Sequence, residues 1–169
     1  MRRDSRDVVA VIARIRLAPA DTVTRMRDLV RECLLRPPQP DRLYVLQPGM
    51  PESKQVRKAR ATHHLEADEA LIAVWQWSRV MGAFNATPSS LIFTSQGIRI
   101  AEPRLRLKIP YSTFPECSFS YQYTAGGRSG PDVMELVIEG PVPWRSPNAD
   151  SGAELIADDL NRIKALAAD

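Results

Sequence analysis

Residues 69–100 read EALIAVWQWSRVMGAFNATPSSLIFTSQGIRI, and two of the chain's three tryptophans fall inside them. Residues 71–77 (LIAVWQW) are rich in β-branched and aromatic side chains, the composition of a pleated, half-buried strand. Period-two alternation places Leu71, Ala73, Trp75 and Trp77 on one face and Ile72, Val74 and Gln76 on the other. Residues 78–88 lose that alternation and carry Gly82, Asn85 and Pro88 as breakers, so they form a loop. Residues 90–94 resume a strand. Ser95-Gln96-Gly97 then makes a tight turn, in which glycine can take a positive φ, and residues 98–101 run back.

The antiparallel pattern continues downstream. Leu105, Leu107 and Ile109 alternate with Arg104, Arg106 and Lys108, which marks a strand with one wet face. Pro110 and Pro115 bracket Tyr111-Ser112-Thr113-Phe114 at its end. Residues 117–123 alternate Cys117, Phe119, Tyr121 and Tyr123 against Ser118, Ser120 and Gln122. A glycine-rich hairpin loop over 124–131 leads to a returning strand at 133–138. Ser151 and Glu154 have the spacing of a capping box, and Ala153, Ile156, Leu160, Ile163 and Ala167 form the stripe of an amphipathic C-terminal helix.

Upstream the chain reads as helical. Residues 7–17 put Val8, Ile12 and Ile15 on one helical face, although their β-branched content would also suit a strand. Asp21 is a good N-cap for a helix over 22–35, whose apolar side is Val23, Met26, Val30, Cys33 and Leu34. Pro37, Pro38 and Pro40 end it. Residues 41–47 suit a short extended piece, and Pro48-Gly49-Met50-Pro51 a turn. Pro51 opens a basic helix over 52–65 with Val56, Ala59 and His63 as its narrow apolar side. Helices, then six or so short strands, then one segregated helix define the α+β class. The expected architecture is a basic N-terminal helical region over 1–65 and a β domain over 66–169. The β domain would be a bent antiparallel sandwich or partly open barrel capped by the C-terminal helix.

A chain of 169 residues suffices for one domain that needs no metal or disulfide to hold it. With 44% hydrophobic and 25% charged residues it belongs among folded globular chains. No apolar run reaches membrane-span length. The N-terminal apolar run is broken by Arg14 and Arg16 and lacks a small-residue cleavage site, unlike a signal peptide. Cys33 and Cys117 lie far apart and fit reduced core thiols, so a cytoplasmic location is expected. Residues 1–64 hold 14 Lys/Arg against 7 Asp/Glu, and residues 65–169 hold 9 against 13. The basic excess therefore belongs to the N-terminal third, where interspersed acids and the lack of a four-residue basic run favour solvated helix faces.

The segments EALIAVW, SSLIFTSQGIRI, LRLKIPYSTF and SGAELIADDLNRI together resemble bacterial pleckstrin-homology-like (PH-like) domains. In those, an FT-x-x-G-I hairpin is followed by an I-P-Y strand and a C-terminal helix caps the sheet. The resemblance covers roughly residues 66–169. It implies a bent seven-stranded sandwich whose open corner the helix closes; the seventh strand would come from 41–47 or from part of the loop. It implies no particular ligand, because this superfold serves many binding tasks. Members that bind phosphoinositides are rich in Lys and Arg in the loop after the first strand. Here that loop offers only Arg79, beside Val80, Met81 and Phe84.

No catalytic set stands out. His63 and His64 are neighbours that a helix would point about 100° apart, so they cannot share a metal. Neither cysteine has a Cys or His at ligand or redox spacing. The GGRSG run at 126–130 lacks the Lys-Ser/Thr of a phosphate loop, and Asp158 and Asp159 diverge on their helix. A non-enzymatic module with no cofactor or metal is expected. Two binding candidates remain. Arg79, Val80, Met81 and Phe84 suggest a protein contact if the loop exposes them; the alternative is that they fold back on the core. Lys54, Arg57, Lys58 and Arg60 form a basic face suited to an acidic partner or phosphates. The expected role is an adaptor, or an immunity-type protein that binds and neutralises a toxin or signalling protein. The alternative is binding of an anionic lipid surface or nucleic acid through the basic N-terminal helices. The lack of interleaved aromatics weighs against nucleic acid.

Overall fold

The computed structural model describes residues 19–77, 89–102, 104–126, 132–146 and 152–167. The helix expected over 7–17, the loop at 78–88, the hairpin tip at 127–131 and the capping residue Ser151 lie outside the described residues. Within them the fold is α+β, with two antiparallel sheets, no closed barrel and a C-terminal helix.

The elements follow in the order α1 (Pro19–Leu35), β1 (Leu43–Val45), α2 (Lys54–His63), β2 (Leu71–Trp77), β3 (Ser89–Thr94), β4 (Gly97–Glu102) and β5 (Leu105–Pro110). A 3₁₀ turn (Tyr111–Glu116) leads into β6 (Ser118–Thr124), β7 (Val133–Glu139), β8 (Trp144–Arg145) and α3 (Ala153–Ala167). One sheet has five strands in the order β1-β2-β3-β4-β5, and the other has three in the order β6-β7-β8. The eight described strands exceed the six expected because residues 43–45 pair with β2 and residues 144–145 pair with β7. Both are too short to show a period in the sequence.

The main core lies between the sheets, α1 and α3. It joins Val30, Cys33 and Leu34 of α1 to Trp75 and Trp77 of β2 and to Ile156, Leu160 and Ile163 of α3. Residues on both sides of position 65 thus share one core, and through β1 and β2 they share one sheet. A second, smaller cluster covers the other face of the five-stranded sheet, where Val56 and Ala59 of α2 meet Leu71, Val74 and Ile92. A 10-residue helix is too short to persist alone in water. Burying Val56 supplies about 1.5–3 kcal/mol towards holding it.

With both faces covered, β3 is buried throughout and β2 nearly so. The expected alternation holds for Ala73, Trp75 and Trp77 in the main core and for Val74 in the smaller cluster. It inverts for Leu71 and Ile72, because the β2–β3 register shifts between Leu71 and Ala73. One extra residue in the ladder swaps the faces of the residues before it.

Other local expectations also shift. The described part of α1 begins at Pro19, so Asp21 lies within the helix and is not its cap. α2 starts at Lys54 with Ser53 as N-cap, its hydroxyl accepting from Val56 N at 3.2 Å, so Pro51 precedes the helix. It stops at His64, whose φ of 47° is left-handed. Gly97 is not among the positive-φ glycines. It belongs to β4 and is needed for close approach: a Cβ there would stand 2.8 Å from Pro110 Cα and closer still to the Ile109 carbonyl. No helix among the described residues is long and apolar enough to cross a membrane.

Candidate functional site

Arg79, Val80, Met81 and Phe84 lie outside the described residues. The basic face is placed. Val56, Ala59 and His63 turn towards the sheet, which leaves Lys54, Arg57, Lys58 and Arg60 exposed on the far side of α2. Arg60 pairs with Glu52. Among the described residues Lys54, Arg57 and Lys58 have no ion-pair partner.

The two histidines separate as their spacing requires. His63 is buried, with Nε2 2.8 Å from Ser90 Oγ, while His64 is exposed at the helix end. Both border a cavity of about 270 Å³ together with Arg99, Arg106 and Lys108. The cations there are largely answered: Arg99 bonds Glu69 and Glu66, and Lys108 Nζ stands 2.7 Å from Glu66 Oε1. Arg106 donates to the Glu102 and Leu105 carbonyls. This cluster ties the segment between α2 and β2 to β4 and β5 and presents little free charge.

Burial, then the nearby Arg106 and Arg99, lowers the His63 pKa from 6.5 to about 4. Burial raises Asp159 of α3 from 3.8 to about 6, against the opposing pull of Arg162. The two act in opposite senses. The fold keeps His63 neutral where the unfolded chain binds a proton, so that stabilisation is present above pH 6.5 and lost as pH falls towards 4. The fold keeps Asp159 protonated where the unfolded chain has released its proton, so that stabilisation is present below pH 3.8 and lost as pH rises through 6. Each is worth on the order of 3 kcal/mol at most, and the two oppose each other between pH 4 and 6. In urea titrations across that window His63→Gln should gain stability as pH falls, and Asp159→Asn should lose it. If both variants track the parent profile, the two groups do not carry these shifts.

A different feature marks the surface. β1, β5, β6 and β8 are the terminal strands of the two sheets, and an open edge invites pairing with another chain unless it is blunted. β1 and β8 are blunted by length, at three and two residues. β5 carries Arg106, Lys108 and Pro110. β6 runs seven residues, SFSYQYT, with no charge and no proline, and only Phe119 of it is buried. Tyr121 and Tyr123 are 51% and 53% exposed.

The main chain of β6 points the same way. The Cys117 and Phe119 carbonyls accept from Lys164 Nζ at 2.7 Å and Asn161 Nδ2 at 2.8 Å, so both face away from β7. Tyr121 pairs with Leu136, whose N–H and C=O are both turned to Ser146 on the β8 side. Alternation therefore leaves the N–H and C=O groups of Tyr121 and Tyr123 along the edge that no described strand covers. Side chains brace the strand: Tyr123 OH donates to Asp132 Oδ2 at 2.6 Å, and Arg145 Nη1 donates to Gln122 Oε1 at 2.7 Å. The Asp132 hydrogen bond raises the Tyr123 pKa and lowers that of Asp132.

Alternation in the sequence put Tyr121 and Tyr123 on the face of Phe119, and there they are. α3 covers Phe119 and Leu136, however, and the face runs on past it, so the tyrosines stay wet. The readable signal was the lack of any charged residue or proline in SFSYQYT. Comparison of the chain with protein families, curated proteins and solved structures returns no match.

Proposed function

We propose that the chain is a PH-like, non-catalytic module that binds another protein by taking an extended segment onto the open edge of β6. The uncharged, tyrosine-bearing edge carries this proposal. Strand addition uses main-chain hydrogen bonds for affinity and side chains for selection, and exposed tyrosine supplies large contact area of the kind that dominates interfaces. Strands β2–β5 in one sheet, β6–β8 in the other and α3 against them support the PH-like assignment. Counting β8 as the seventh, in place of residues 41–47 or the loop, gives the number that the resemblance implies, with β1 added at the β2 edge. Buried free Cys33 and Cys117 suit action in the cytoplasm as an adaptor or immunity-type protein.

Selection from a displayed library of random linear peptides tests it. Enriched peptides should slow amide exchange at Tyr121 and Tyr123 in protein dilute enough to be monomeric. The double substitution Tyr121→Lys, Tyr123→Lys should weaken them by about 30-fold or more, the scale of a lost hot spot. Charge reversal at Lys54, Arg57 and Lys58 should leave them unchanged. Peptides that instead depend on those three cations and dissociate at moderate salt would overturn the edge and favour an anionic ligand on α2.

A further inference from the structure

We infer that, in the absence of a partner segment, two copies of this chain close the edge against each other, with β6 antiparallel to the β6 of the second copy and Gln122 opposite Gln122. This rests on β6 being a strand-accepting edge and adds what occupies it at rest. The register follows from which groups are free. Asn161 and Lys164 already stand at the Phe119 and Cys117 carbonyls, which bars an incoming strand from the start of β6. Among the described residues of β6, only Tyr121 and Tyr123 turn both N–H and C=O to the edge with no partner on either. Pairing Tyr121 of each copy with Tyr123 of the other joins all of these groups in hydrogen-bonded pairs, and Gln122 meets its symmetry mate in the non-hydrogen-bonded position between them.

Chemistry favours a second copy as the occupant. A strand with no charge meets itself without like-charge repulsion, and Tyr–Tyr cross-strand pairs are favourable. The two-fold axis makes the contact isologous and closed, so it ends at a dimer. It also brings the Lys164 end of each β6 towards the Asp132 end of the other. Asp132 anchors that end through Tyr123 and Gly126 N, the latter at 2.8 Å. A resting dimer would make self-pairing and partner binding mutually exclusive.

Cysteine cross-linking reads the register directly. In a non-hydrogen-bonded antiparallel pair the Cα atoms lie about 4.5 Å apart, within disulfide range. With oxidised glutathione, Gln122→Cys should give a covalent dimer. Ser120→Cys and Thr124→Cys should each stay monomeric alone and cross-link when mixed, because 120 faces 124. Cys33 and Cys117 are 1% and 3% exposed and do not compete. By light scattering the parent should show a dimer mass that falls on dilution, and Tyr121→Lys with Tyr123→Lys should give a monomer mass, because each lysine then faces another. A parent that is monomeric at every concentration, or equal cross-linking by all three single variants, overturns the dimer. Peptides that bind β6 of a monomeric parent would keep the partner edge and remove self-pairing. Cross-linking at 122 with no peptide ligand recovered would do the reverse.

Discussion

Glu69→Ala should destabilise the fold by about 3–5 kcal/mol, the cost of removing one partner from a buried ion pair. The Glu69 side chain is 0% exposed and that of Arg99 14%. Arg99 Nε donates to Glu69 Oε1 at 2.9 Å, and the Thr94 hydroxyl stands 2.7 Å from the same oxygen. Burial alone would raise the Glu69 pKa; hydrogen bonds from Arg99 and Thr94 more than offset it and leave the pKa lowered. The stabilisation is therefore present at neutral pH and lost as pH falls through the folded-state value. Without Glu69, Arg99 keeps only Glu66, which is 54% exposed, and Thr94 loses its carboxylate partner. Urea denaturation of Glu69→Ala, Arg99→Met and a Glu69→Leu, Arg99→Met double variant separates desolvation from pairing. The double variant should recover much of the loss, since an apolar pair of similar volume is often neutral or better. A loss below about 1 kcal/mol for Glu69→Ala would put the pair in the surface class.

Phe114→Ala should cost a comparable 3–5 kcal/mol, through a different mechanism. Phe114 is 0% exposed in the 3₁₀ turn that carries the chain from β5 to β6. Its ring lies 5.0 Å from that of Tyr111, edge to face, and 4.9 Å from that of Phe119. Tyr111 OH in turn bonds the Thr94 carbonyl at 2.9 Å, so Phe114 stands between the two sheets. Truncation leaves a cavity where the five-stranded sheet, β6 and α3 converge. Hydrogen exchange should accelerate in β6 and α3 more than in β2 and β3, because the smaller sheet loses its anchor while the larger keeps α2 and α1. Phe114→Leu should cost under about 1.5 kcal/mol. If Phe114→Ala costs no more than Phe114→Leu, or if exchange changes only within the turn, the turn does not join the sheets.

Sequence order alone gave the α+β class. The period-two runs at 71–77, 105–109 and 117–123 match β2, β5 and β6 to within a residue, the strand read at 90–94 is β3, and the stripe from Ala153 to Ile163 is a buried helix face. Alternation and the 3.6-residue period are local, so they survive without knowledge of neighbours. β8 left no such trace, since two residues cannot define a period, and β1 is the three-residue centre of the extended piece read at 41–47.

The surface was less legible for a related reason. Alternation puts Tyr121 and Tyr123 on the face of Phe119, and the sequence does not state how far α3 reaches along that face. What the chain's own residues determined is which positions are strand or helix, that Cys33 and Cys117 are buried free thiols, and that β6 carries no charge. Only the tertiary structure decided that α2 seals the second face of the large sheet, that a register shift exchanges Leu71 and Ile72, and that β6 ends its sheet with two tyrosines in water. Each of those depends on which distant surface arrives to cover an apolar face, and burial is a property of that meeting, which local periodicity does not encode.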